Sequence, residues 1–289
     1  MKLKYSKRKN KQRLEKTTEY VGTVIGAIAN ASIENAVAGP IGVGIGASAE
    51  VLITKFFTIL SNEISQRNLS HWESQKIKKV YDASLIKIQE NCRNGKQLRD
   101  DNFFSEEEDN RSSAEEIFEG ILLSSQHENE EKKLKYLSNM YANIVFDCKI
   151  DRYMANHLIK VASDLTYRQL LIILVLMRYQ SGFLTEPARR NTEYGTINGY
   201  RNISLASEIF DLYRKNILFS CTSISDAAGI NPSLLKVKGI GELMYKLMDM
   251  NEVSYDEEVY SHILDFLTDT FDKQAKESIT MGTTVARFG

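Results

Sequence analysis

At Ser70, Ser113 and Thr166 a serine or threonine is followed three residues later by Glu or Gln, and each time apolar residues at helical spacing come next. Ser70 with Glu73, Ser113 with Glu116 and Thr166 with Gln169 have the form of capping boxes, in which two side chains satisfy orphan backbone donors at a helix start. After Ser70 the apolar stripe is Ile77, Val80, Tyr81, Leu85, Ile88 and Cys92, ending near Gly95; after Ser113 it is Ile117, Phe118, Ile121 and Leu122. A third stripe, Leu134, Leu137, Met140, Tyr141, Ile144 and Val145, lies on an expected helix over 128–146, with Glu128 and Lys132, and Glu131 and Lys135, paired four apart on its wet face. Residues 151–162 give a further helix, on which His157 is expected as a hydrogen-bonded core or boundary residue. Thr166 opens an apolar run of eight, Leu170 to Met177, which is too short to span a membrane and suits a bundle's central helix. Only three prolines interrupt the 289 residues, so the fold class is mainly α.

Residues 20–60 differ from the rest. They carry only three charges (Glu34, Glu50 and Lys55) yet six of the sixteen glycines: Gly22, Gly26, Gly39, Gly42, Gly44 and Gly46. Their uncharged runs fall short of the ~20 residues that one membrane-spanning helix needs. Gly39-Pro40 punctuates the middle, so the segment reads as a Gly/Ala-rich helical hairpin. Each interior glycine forfeits roughly 1 kcal/mol of helix propensity relative to alanine, and close backbone approach is the compensation such residues allow. These six glycines are therefore the candidate residues for self-association or membrane association. The GxGxxA string at 42–47 satisfies a dinucleotide fingerprint but lacks the preceding strand that gives it meaning.

Charge is strongly polarised along the chain. Lys2, Lys4, Lys7, Arg8, Lys9, Lys11, Arg13 and Lys16 stand against Glu15 alone in the first sixteen residues, eight basic against one acidic, whereas the whole chain has a net charge of -1. Such an arm is attracted to anionic lipid at roughly 1 kcal/mol per cation, and these eight residues are the candidates for binding an anionic surface. Nucleic acid is disfavoured: Tyr5 is the only aromatic residue in the arm. Residues 201–269 hold six basic against eleven acidic side chains, the wrong sign for groove binding.

Cys92, Cys148 and Cys221 fall in no metal-ligand or disulfide pattern, and reduced thiols suit a cytoplasmic protein. The four histidines stand apart, with no HExxH or nucleophile elbow. The acids between 100 and 109 lack the spacing and glycine of an EF-hand loop. No catalytic set, metal site or cofactor is expected, and the chain reads as a non-enzyme. Structural roles are expected for Asp100 and Asp101 (accepting backbone donors at a turn), Phe103 and Phe104 (anchoring that loop), Asn143 (needing partners on a buried stripe) and Arg168 (reaching an acid on a neighbouring helix).

The expected organisation is a basic arm (1–19), the hairpin (20–60), a helical bundle (61–182), a linker or exposed loop (183–202, with Pro187, Gly195 and Gly199) and a C-terminal subdomain (203–289). In the last, helices over 205–213, 240–250 and 256–271 with strands pairing 217–221 to 253–255 hint at a winged-helix-like unit.

Arg99-Asp-Asp-Asn-Phe-Phe104, Ser113-Ala-Glu-Glu-Ile-Phe-Glu-Gly120, Asn129-Glu-Glu-Lys-Lys133, Tyr141-Ala-Asn143 and Leu165-Thr-Tyr-Arg-Gln-Leu170 are similar to an uncharacterised bacterial helical family. More loosely, over roughly residues 39–179, they resemble the abortive-infection alpha family, in which a Gly/Ala-rich segment precedes a "YA-N" element and a leucine-rich helix. The resemblance implies a role in phage resistance or mobile-element conflict and supplies no catalytic residue. With the polarised N-terminus it suggests an effector that forms a homo-oligomer or associates with the inner membrane. A soluble scaffold or sensor that binds a protein partner is one alternative; a nucleic-acid-associated regulator using the arm is another.

Overall fold

The computed structural model describes residues 69–105 and 111–268. The basic arm, the glycine-rich segment and residues 269–289 lie outside them, and so do the fourteen candidate Gly, Lys and Arg positions between 2 and 46. Eight α-helices and one two-stranded sheet make up the described residues, which are mainly α. They divide into two compact units, with the boundary between Asp164 and Leu165.

The first unit holds α1 (His71–Arg93), α2 (Ser113–His127), α3 (Leu134–Ile144) and α4 (Arg152–Asp164), with 3-10 turns at Asn102–Phe104 and Glu131–Lys133. Helix α1 packs on α2 and α3, and α2 also covers α3 and α4. Its centre is aromatic: Phe118 lies 6.3 Å from Tyr81 and 4.8 Å from Tyr141, centroid to centroid. The Tyr141 hydroxyl donates to the Ala114 carbonyl, and complete burial pushes this phenol's pKa well up.

Both capping boxes of this unit form, with one shift. Ser70 caps α1 and is answered by Glu73, but α2 is capped by Ser112 and Glu115, one residue before the pair expected from sequence. A run of two serines and two glutamates satisfies the pattern in either register. Starting at Ser112 puts Ala114, Ile117, Phe118, Ile121 and Leu122 inside. The helix expected over 128–146 begins late. Residues Glu131–Lys133 make a 3-10 turn and helix α3 starts only at Leu134, so Glu128 meets buried Lys133 and Glu131 reaches across to Lys79.

The second unit contains α5 (Tyr167–Gln180), α6 (Tyr200–Arg214), β1 (Leu218–Phe219), β2 (Lys236–Val237), α7 (Ile240–Leu247) and α8 (Glu257–Leu267). Helix α5 carries the apolar run, capped by Thr166 and Gln169 as the spacing predicts. Residues 170–176 are all buried, because α6, α7, α8 and β2 surround the helix. The leucine-rich helix is thus the centre of the second unit, not of a bundle running to residue 182.

The small sheet pairs Leu218 with Val237 and Phe219 with Lys236, antiparallel. The expected partner, 253–255, is not a strand, so the winged order is not the one formed. Gly241, at the start of α7, explains the choice. A Cβ there would stand 2.6 Å from Val237 Cγ1 and 2.9 Å from Ile217 Cγ2, so only glycine lets the helix seat on this ribbon. At Val237 the Gln180 side chain acts as a surrogate peptide. Its Oε1 accepts from the Val237 N–H at 2.5 Å and its Nε2 donates to the Val237 carbonyl at 3.1 Å. No described helix is long and apolar enough to cross a membrane.

Candidate functional site

The acidic stretch after α1 begins with a clasp. Buried Arg99 pairs with Asp101 through both Nε and Nη2, donates from Nη1 to the Ile150 carbonyl at 2.7 Å, and lies 4.1 Å from the centroid of the Phe103 ring. Asp101 caps the Asn102–Phe104 turn, and the Arg99 guanidinium holds its carboxyl below the usual range. Phe103 is buried and packs edge-on against Phe104, while Asp100 is exposed. The side chain that organises this loop is therefore Arg99, which sequence reasoning used only as the first letter of a motif.

Asn143, at the end of α3, accepts from the Asn91 amide at 2.9 Å, and Lys96 donates to both Asn91 and Asn143. Arg168 reaches α6, where its Nε donates to Glu208 at 2.6 Å and its Nη2 to Ser204. Each of these predicted polar residues sits in a local structural network, and the structure gathers them into no common site. His157 is exposed rather than in the core or at its boundary, because the buried face of α4 is Ala155, Leu158, Ile159 and Ala162.

A different cluster stands at the C-terminal end of α5. Arg178 is only 8% exposed, and no carboxylate among the described residues pairs with it. Its Nε donates to Asn251 Oδ1 at 3.1 Å and its Nη1 to the Tyr255 hydroxyl at 2.9 Å. The guanidinium lies 4.9 Å from the Tyr255 ring centroid, 5.2 Å from Tyr260 and 5.3 Å from Phe183, and the two tyrosines stack on each other. Burial works against the charge, yet hydrogen bonding to Tyr255 and Tyr260 lifts the Arg178 pKa above its ordinary value. Rings and phenols take the place of the usual acid.

Next to it, Arg189 donates to the carbonyls of Pro232, Leu235 and Ser233 and lies 5.3 Å from the Tyr179 ring. Burial lowers its pKa, although Tyr179 pulls the other way. Tyr179 donates to the Pro187 carbonyl, and burial pushes its phenol up to about 12 although Arg189 pulls the other way.

Of the two readings of 183–202, an exposed loop is the one formed over 183–199, and a linker is not. The segment does not link two units; the boundary lies earlier, and the stretch is strapped down within the second unit. The Arg190 N–H donates to Leu267, Gly195 to Ala228, and Asn231 to the Asn191 carbonyl, while Tyr194 stacks on Phe266 with centroids 4.5 Å apart. Glycines and a proline signalled a loop, but the pins are arginines and a tyrosine, which mark surface and anchor alike. One signal for Arg178 was present: it is the first charge after the eight-residue apolar run.

Elsewhere in this unit His262 meets Asn202 Oδ1 at 3.0 Å, and burial, with Arg201 and Arg168 nearby, lowers its pKa. Cys148 and Cys221 are exposed and Cys92 is half-buried, where burial raises the thiol pKa. Among the described residues no three His, Cys, Asp or Glu side chains are grouped to hold a metal ion. The arrangement at Arg178 offers a cation and flat rings. No family model matches the chain, and neither a curated protein nor a solved structure is significantly similar to it.

Proposed function

We propose that the protein is a non-enzymatic antiphage effector of the abortive-infection type, acting through self-association or membrane association of residues 20–60. The observation that carries this reading is the charge profile. Eight cations in the first sixteen residues lead directly into a glycine-rich segment with three charges in forty-one positions. A cationic arm adjoining a small-residue apolar segment combines lipid attraction with close packing. The resemblance of residues 39–179 to the abortive-infection alpha family supplies the biological context, and the two helical units then serve as the body on which the segment is carried.

Overexpression of the full chain is expected to arrest growth and to place protein in the membrane fraction, and a variant lacking residues 1–60 is expected to do neither. Undiminished toxicity of that truncation would overturn the reading.

A second reading, a scaffold or sensor that binds a protein partner, is favoured by exposed apolar side chains: Trp72, Tyr153 and Tyr200 are 69%, 82% and 94% exposed. A chain that remains monodisperse and lipid-free under all conditions, with toxicity independent of residues 1–60, supports this reading over the first. Binding that vanishes steeply with salt and with removal of the arm would instead indicate a nucleic-acid-associated regulator.

A further inference from the structure

Arg178 poses a problem that packing alone does not answer. A buried cation is stable when a carboxylate compensates it, and other buried cations of this protein have one: Arg99 has Asp101 and Lys133 has Glu128. Arg178 is buried to the same degree and has only an amide and two phenols. Arg189, one strap away, has only carbonyls. The carboxylate felt by Tyr179 is that of Glu186, which is exposed and forms no ion pair with either arginine. The end of α5 therefore carries positive charge that the described residues leave uncompensated.

Its cover is slight on one side. Tyr255 and Tyr260 fix the guanidinium from α8 and the turn before it, but the third ring, Phe183, is 75% exposed and comes from the start of the strap. A side chain so exposed changes rotamer without any movement of the backbone. Next to it stands exposed Asn251, whose amide is oriented by a hydrogen bond to Tyr245.

We propose that this corner of the second unit is a binding site for a phosphoryl-bearing anion, with Arg178 as the charge-bearing receptor, Asn251 and Tyr255 as the polar groups that orient it, and Phe183 as a movable cover and stacking surface. A guanidinium suits tetrahedral oxyanions because its N–H groups form a planar fork. The ligand is either free phosphate or a nucleotide whose base lies on the Phe183 ring. No residue of this site belongs to 20–60, so its occupancy is measured without reference to toxicity.

The test is direct binding to the purified full chain, by calorimetry with inorganic phosphate, adenosine monophosphate and adenosine as the three probes, and by phosphorus NMR for the first two. Phosphate and the nucleotide are expected to bind and adenosine is not. A nucleotide tighter than phosphate assigns the site to nucleotides, and equal affinities assign it to the free oxyanion. Arg178→Met is expected to abolish binding. Phe183→Ala, at an exposed position where folding is insensitive, is expected to tighten phosphate several-fold by uncovering the receptor, and it decides the matter should Arg178→Met fail to fold. No binding of phosphate or nucleotide by either the native chain or Phe183→Ala overturns the proposal. So does adenosine binding as well as its monophosphate, or unchanged binding in folded Arg178→Met.

Discussion

The two units solve the same electrostatic problem differently. In the first, each deeply buried cation faces an acid: Lys133 meets Glu128 with both side chains under 10% exposed, and Arg99 grips Asp101 while donating to backbone carbonyls. In the second, Arg178 and Arg189 are surrounded by rings, phenols, an amide and carbonyls, and the unit's acid partners serve less buried cations such as Arg168 and Lys215. A paired charge is fixed in place and is costly to break, whereas a charge held by neutral groups keeps its field and can be removed without orphaning a partner. Rigidity is the expected property of the first arrangement and availability that of the second.

Glu128→Ala should give the largest effect, because it strands Lys133 inside. A loss of about 3–5 kcal/mol is expected in urea denaturation, with most of it recovered in the double variant Glu128→Leu/Lys133→Met. Gly241→Ala tests the second unit through packing rather than charge. The clash of its Cβ with Val237 and Ile217 should cost about 1–3 kcal/mol by the same measurement. Arg178→Met should lose no more than about 2 kcal/mol, the scale of its stacking and hydrogen bonds. A loss as large as that of Glu128→Ala would erase the distinction between the units.

The smallest effect concerns acid. The Ser70 side chain, then Gln126 and the Ser70 backbone, hold the Glu73 carboxyl at about 2, below the ordinary 4.5. Because the folded value is depressed, this stabilisation is complete above about pH 4.5 and fades as pH falls toward 2. Ser70→Ala should remove about 1 kcal/mol of cap energy at neutral pH and flatten the stability profile across that window. A profile as steep as the native one would show that Ser70 does not set the Glu73 pKa.

Much of the helical architecture was legible in the sequence, because caps and apolar period are local. Ser70 with Glu73, and Thr166 with Gln169, specify helix starts from residues three apart, and the stripe of α1 declares its buried face. What sequence did not reveal depends on distant partners. Ser112 and Ser113 both satisfy the capping pattern, and burial of Ala114 and Phe118 against other helices selects the first. The strand partner of 218–219 was misplaced because only the absence of a Cβ at Gly241 makes room for 236–237 beneath α7. Arg178 was missed for a related reason: its partners Asn251 and Tyr255 lie 73 and 77 positions away and Tyr260 lies further still, while Phe183 alone is near in sequence. The candidate residues before position 47 rest on composition, outside the described structure.

The amide of Gln180 has a consequence for assembly. By occupying both peptide groups of Val237 it leaves that margin of the ribbon nothing to offer an incoming chain. Copies of this protein that meet through the second unit must recognise one another by side-chain shape and charge there, since cross-chain β-pairing is already foreclosed at that residue.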